Sequence, residues 1–137
     1  MLVVIDTNLL ISSLLTKDGW EAKVVNLVRD ERLRAAVTYE MLAEYRTTLE
    51  RPKFKFSPLS IDRILITFTR FGEFVNPEFT LAVSRHEPDN RFLECAEAAG
   101  ANYLITGNLR HYPSQHGVTR IVRAPTFLSE TQFLFQL

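Results

Sequence analysis

The chain is predicted to be an α/β protein: a parallel sheet flanked by helices on both faces. Three observations carry this. Residues 2–5, 33–37, 103–106 and 119–122 are short runs rich in apolar residues, and the first is β-branched at three positions. Apolar residues at successive positions suit strands buried on both sides. Between those runs, apolar residues recur at the three- and four-residue intervals of helices.

The elements follow in order. The strand at 2–5 passes into a helix from about Asn8. Asp18, with Glu21 three residues on, forms a capping-box-like start to a helix whose inward stripe is Trp20, Val24, Leu27 and Val28. After the strand at 33–37, Thr38 is placed as an N-cap, and Met41, Leu42, Tyr45 and Leu49 form the next stripe, with Glu44 at its edge. Pro52 and Pro58 bracket a loop or extended connection. Ser60 is then expected to cap a helix that buries Ile61, Ile64, Leu65, Phe68 and Phe71. The helix from Asp89 to Ala99 buries Phe92, Leu93, Ala96 and Ala99, and Gly100 ends it. Pro125 suits the first turn of a last helix after the strand at 119–122.

The 137 residues are the length of one domain, expected to span 1–137 around one core. Lys plus Arg (16) balances Asp plus Glu (16), so no global basic field attracts nucleic acid, and such a role must rest on a local patch or on metal ions. The single cysteine, Cys95, excludes an internal disulfide and reads as core filler in a reducing compartment. The start Met-Leu-Val-Val-Ile-Asp lacks a signal peptide's basic region, and no apolar run nears the ~20 residues that span a bilayer. A soluble cytoplasmic protein without membrane association is expected.

In an open α/β sheet, ligands bind beyond the carboxyl ends of the strands. Asp6 follows the first strand, Glu44 lies in the helix after the second, and Asp89 opens the helix before the third. Converging carboxylates of this kind hold Mg²⁺ or Mn²⁺, hard cations that take oxygen ligands and serve phosphodiester hydrolysis. Singly, each has an ordinary alternative: Asp6 as a turn or cap former, Glu44 as a solvated helix residue, Asp89 as an N-cap.

Their contexts narrow the reading. Val4-Ile5-Asp6-Thr7-Asn8, Glu44 in its helix, Glu87-Pro88-Asp89-Asn90-Arg91-Phe92-Leu93-Glu94-Cys95-Ala96 and Ala99-Gly100-Ala101-Asn102-Tyr103-Leu104-Ile105-Thr106-Gly107-Asn108 together resemble a PIN domain. The likeness runs in order from residue 2 to about residue 113. It implies a Rossmann-like nuclease that cuts RNA, or sometimes DNA flaps, with Mg²⁺ or Mn²⁺. Asp6, Glu44 and Asp89 match the first three acids and so the catalytic and metal-holding positions. The ending Thr106-Gly107-Asn108-Leu109-Arg110-His111-Tyr112-Pro113 is most similar to toxin components of bacterial toxin-antitoxin modules, relatives of the VapC ribonucleases. By that resemblance an antitoxin partner and a homodimer are expected.

Where many PIN domains carry Asp after Thr-Gly, this chain has Asn108, whose amide oxygen can still meet a cation but brings no charge. Asn8 and Thr106 are candidates to orient Asp6 or a metal-bound water, with capping and turn bonds as the alternative. Arg110 is the candidate contact to a substrate phosphate. The stretch holding Arg46, Arg51, Lys53 and Lys55, with Phe54 and Phe56 interleaved, reads either as a solvated loop with tucked aromatics or as a grip on single strands. His86, His111 and His116 lack zinc-ligand spacing. Two other functions compete: a degenerate PIN domain that binds RNA or protein without cutting, and a phosphoaspartate enzyme, against which the missing Asp-x-Asp after the first strand argues.

Overall fold

The computed structural model describes residues 1–135. Its first half runs β1 (Leu2–Ile5), α1 (Thr7–Leu15), α2 (Trp20–Arg29), β2 (Arg34–Val37), α3 (Tyr39–Leu49), α4 (Pro58–Phe71) and β3 (Glu73–Phe74). Then follow α5 (Asn90–Ala99), β4 (Tyr103–Ile105), β5 (Gln115–His116), β6 (Thr119–Val122) and α6 (Ala124–Phe135). The strands form one sheet in the order β3-β2-β1-β4-β6-β5, parallel at every pairing except β5 with β6. Val3, Val4 and Ile5 are all fully buried. Since successive strand residues face opposite sides, both faces of the sheet are covered by helices.

The strand order fixes where a ligand can sit. From β1 the chain moves outward through β2 to β3, then returns to place β4 on the other side of β1. The boundary between β1 and β4 is thus a topological switch point, where the connections leave in opposite directions and open a crevice. Asp6 immediately follows β1, and Thr106 immediately follows β4. Their backbones remain in the sheet's hydrogen bonding, with Asp6 N–H donating to Ile105 and Thr106 N–H to Val122.

Local details differ from the sequence expectation in instructive ways. Gly19, not Asp18, is the N-cap of α2, and Trp20 lies half-exposed against Lys23, whose ammonium stands 4.5 Å from the ring centroid. A first-turn position at the end of the stripe overhangs the core rather than entering it. Ser57, not Ser60, caps α4: its hydroxyl accepts from the Ser60 amide and Pro58 takes the first helical position. Phe71, at the other end of α4, is only half-buried. Leu33 and Thr106 fall just outside their strands, and the two-residue strands β3 and β5 are too short to leave a periodic signal.

Other expectations match. Thr38 accepts from the Met41 amide as the N-cap of α3, and Gly100, at φ +62°, ends α5 in the left-handed conformation that glycine adopts without strain. Cys95 is fully buried, and that burial pushes its thiol up to about 12, so it packs as an inert core group. Phe54 and Phe56 stack on each other at 5.4 Å, with Phe56 resting against the core, beneath an exposed Lys53. Among the described residues, no helix is long and apolar enough to cross a membrane.

Candidate functional site

Asp6 sits at the bottom of the crevice, 4% exposed. One carboxylate oxygen accepts from the Thr7 amide at 2.7 Å. The other accepts from Thr106 Oγ1 at 2.8 Å, Tyr112 OH at 3.0 Å and Asn8 Nδ2 at 3.2 Å. These donors come from the start of α1, the end of β4 and the segment leading to β5. The chain invests three separate elements in one carboxylate.

Glu44 reaches the same region by a different route. Tyr45, fully buried in α3, donates its hydroxyl to the Ile5 carbonyl and clamps α3 to the end of β1. The preceding residue, Glu44, then meets Thr7, whose hydroxyl donates to Glu44 Oε2 at 2.5 Å. Thr7 therefore serves Asp6 with its amide and Glu44 with its side chain. Asp89 completes the group from the single 3₁₀ turn before α5 and bonds His111 Nδ1 at 2.9 Å.

The charge of Asp89 is felt by both Asp6 and Glu44, although among the described residues the ligand atoms of the three carboxylates do not all lie within 4.8 Å of one another. Burial is the main cause that lifts the Asp6 carboxyl from 3.8 to about 6; the charge of Asp89 adds to it, while donors from Thr106, Tyr112 and Thr7 oppose it. Burial likewise raises Glu44, again reinforced by Asp89 and opposed by Thr7 and Arg51. Burial and the surrounding carboxylates hold the Tyr112 hydroxyl far above its ordinary range, so it remains a donor to Asp6. Among the described residues, none of the three acids forms an ion pair with Lys or Arg. Arg51 acts on Glu44 only through its charge, without a paired contact among the described residues.

Asn8 and Thr106 both contact Asp6; Asn8 also accepts from the Gly107 amide at 2.7 Å and so ties the β4 exit to α1. Asn108 is exposed: its amide donates to Thr106 Oγ1, and its side chain makes no hydrogen bond among the described residues. Arg110 is exposed and lines a pocket of about 540 Å³ with Arg85, His86, His111 and Tyr112.

Sequence spacing did not reveal that His86 and His111 come together. With Asp89 they bring ligand-type atoms within 4.8 Å of one another. Their rings, however, stack at 3.7 Å and 14°. Imidazole lone pairs lie in the ring plane, so two nearly parallel rings cannot both aim at one ion. As placed, the group is a hydrogen-bonded stack.

Also missed was the work of Asn90 and Glu94, one helical turn apart on α5. Asn90, fully buried, accepts from the Val83 and Ser84 amides at 3.1 and 2.8 Å and donates to the Ser84 carbonyl at 3.1 Å. Glu94 accepts from the Leu81 amide at 2.8 Å and pairs with Arg91 at 2.6 Å. Together they hold the irregular segment before Asp89. An Asn and a Glu four apart in an otherwise inward-facing helix stripe were the available signal.

The family profile described as PIN domain matches residues 2–110. An uncharacterized protein of Methanocaldococcus jannaschii is 32% identical over 109 residues, which cover 77% of this chain and 70% of that protein. The crystal structure of VapBC2 from Rickettsia felis bound to a DNA fragment from their promoter aligns at a TM-score of 0.56 and 14% identity, over 88% of this chain and 98% of the aligned chain. At that identity the likeness is one of fold.

Proposed function

Because this chain belongs to the PIN domain family, we propose that it is a single-domain, metal-dependent endoribonuclease and the toxin of a toxin-antitoxin pair. Asp6, Glu44 and Asp89 are its catalytic carboxylates. The observation that carries this reading is the environment of Asp6: a carboxylate 4% exposed at the switch point, lifted to about 6, with no cationic side chain beside it among the described residues.

That environment fits a divalent cation. Oxygen donors suit Mg²⁺ or Mn²⁺, and a positive ion would offset the burial and, secondarily, the Asp89 charge that raise Asp6 and Glu44. Asp6, Glu44 and Asp89 would hold it, with the Asn108 amide oxygen as a neutral fourth donor; when bound, it polarises a phosphoryl oxygen and makes hydroxide available near neutral pH. The chain's own groups prepare the site. Thr7 fixes the spacing of Asp6 and Glu44, Thr106, Tyr112 and Asn8 orient Asp6, and Arg110 meets a substrate phosphate.

The partners belong to the same proposal. The fold neighbour is a toxin-antitoxin complex, and an antitoxin arginine directed at the unpaired carboxylates would bind them bidentately. Homodimerisation is part of this reading. The test is cleavage of RNA in Mg²⁺ or Mn²⁺, lost in EDTA, together with growth arrest on overproduction that co-production of a small protein encoded beside this one reverses. Full activity in EDTA would refute metal dependence, and unaffected growth with soluble protein would remove the toxin role.

Asn108 favours a second reading, in which the domain binds RNA without cutting, because it brings no charge where many PIN domains have Asp. Asn108→Asp decides its place. If Asn108 faces the ion, the added charge tightens Mn²⁺ binding in calorimetry. Unchanged affinity assigns this exposed residue to the turn alone.

A further inference from the structure

We propose that the pocket beside Asp89 is a subsite for one nucleotide of a single strand, the base stacked on His86 and the phosphates held by Arg85 and Arg110. This rests on the nuclease reading for its biological meaning but not for its test. Its walls are the segment Val83 to His86 and the stretch Arg110 to Pro113, enclosing about 540 Å³. Both arginines are exposed and form no ion pair or hydrogen bond among the described residues. Two free guanidiniums on a pocket wall fit phosphate oxygens.

The base position follows from the histidines. His86 and His111 stack at 3.7 Å; His111 is part-buried and bonded to Asp89, while His86 is exposed. The stack is therefore anchored at one end and presents an aromatic face at the other, the feature on which unpaired bases settle. The walls are also tied together: Ser84 Oγ donates to the His111 carbonyl at 2.6 Å and accepts from the His86 amide at 3.1 Å. Asn90 holds Ser84 in turn. A pocket fixed in this way loses little freedom on binding. The cleft then has two halves, carboxylates on one side of Asp89 and cations on the other, which suits a strand whose neighbouring phosphate is held while the scissile one faces the acids.

The experiment measures binding of a fluorescein-labelled oligoribonucleotide of mixed sequence by anisotropy, with Ca²⁺ in place of Mg²⁺, across a salt series. Arg85→Ala with Arg110→Ala is expected to lower the slope of log K against log salt by about 1.4, at ~0.7 per phosphate on a single strand. His86→Ala is expected to weaken binding roughly fivefold or more, and His86→Phe to restore it, since stacking and not charge is retained. A blunt duplex of the same sequence should be insensitive to His86. Circular dichroism checks that these exposed substitutions leave the fold intact.

Wild-type affinity and salt slope in the variants, or equal His86 dependence for duplex and single strand, would overturn the subsite. A free nucleoside monophosphate binding as tightly as the strand would make it a mononucleotide site instead and overturn it too. The two proposals fail separately. The expected binding pattern without cleavage in Mg²⁺ sinks only the nuclease, whereas cleavage with an unchanged KM in Arg85→Ala and His86→Ala sinks only the pocket.

Discussion

Asp6→Asn is expected to lower RNA cleavage by at least on the order of 10²-fold while leaving the fold in place. Loss of a group that only supports a metal ligand costs 10- to 100-fold, and Asp6 is proposed as a ligand itself. The fold survives because two terms oppose each other. In the metal-free protein, burial raises Asp6 from 3.8 to about 6, so between those values the folded state holds a proton that the unfolded state has released. Asp6's contribution is full below about pH 4 and is lost as pH rises through about 6, at ~1.4 kcal/mol per pH unit, roughly 3 kcal/mol in all. Asparagine removes that term. Its Oδ1 can keep the Thr7 amide and its NH₂ can meet the Thr106 and Tyr112 hydroxyls, which turn to accept, but the Asn8 Nδ2 donor at 3.2 Å loses its acceptor, at a cost of about 1–3 kcal/mol.

At pH 7 the melting temperatures of the two metal-free proteins should therefore lie within a few degrees. Relative to the variant, the wild type should gain stability as pH falls from about 6 to 4. Cleavage at the wild-type rate would remove Asp6 from the chemistry. A stability difference that ignores pH would show that its carboxyl is not held as described.

Asn90→Ala is expected to have the largest effect on stability. The side chain is fully buried and serves Val83, Ser84 and Glu87 with four hydrogen bonds. Alanine leaves two backbone amides and a carbonyl without partners, at about 1–3 kcal/mol for each group that water cannot reach. A net loss of roughly 3 kcal/mol follows, a fall in Tm of about 10 °C for a domain of this size. Oligonucleotide binding should weaken as well, because Arg85 and His86 follow directly on the released segment. A Tm within about 2 °C of wild type would mean that the loop holds itself.

How much of this was legible follows from which signals are local. The strand at β1 and the stripes of α3 and α4 were readable because burial on a regular element imposes a period. Residues at the ends, Trp20 and Phe71, escaped that rule because a helix terminus overhangs the core it packs on. Asp6, Glu44 and Asp89 stood out through their contexts, and the sheet order explains why β1 and β4 bring Asp6 and Thr106 to one crevice. Tyr112 on Asp6, 106 positions away in the chain, and the stack of His86 on His111 had no period to betray them. Such contacts are set by where irregular segments return to the sheet.

Asn90 and Glu94 bear on how such a protein can change. Asp6 grows out of the sheet itself, whereas the irregular segment before Asp89 hangs from Asn90 and Glu94, which grip main-chain atoms at Leu81, Val83 and Ser84 and, through Asn90, the Glu87 carboxylate. Main-chain hooks do not read the identity of what they hold. The exposed side chains at Val83 and Arg85 can therefore change without disturbing the carboxylates, whereas Ser84, whose hydroxyl bonds the His111 carbonyl, and His86, which stacks on the His111 that bonds Asp89, are tied to the acid side.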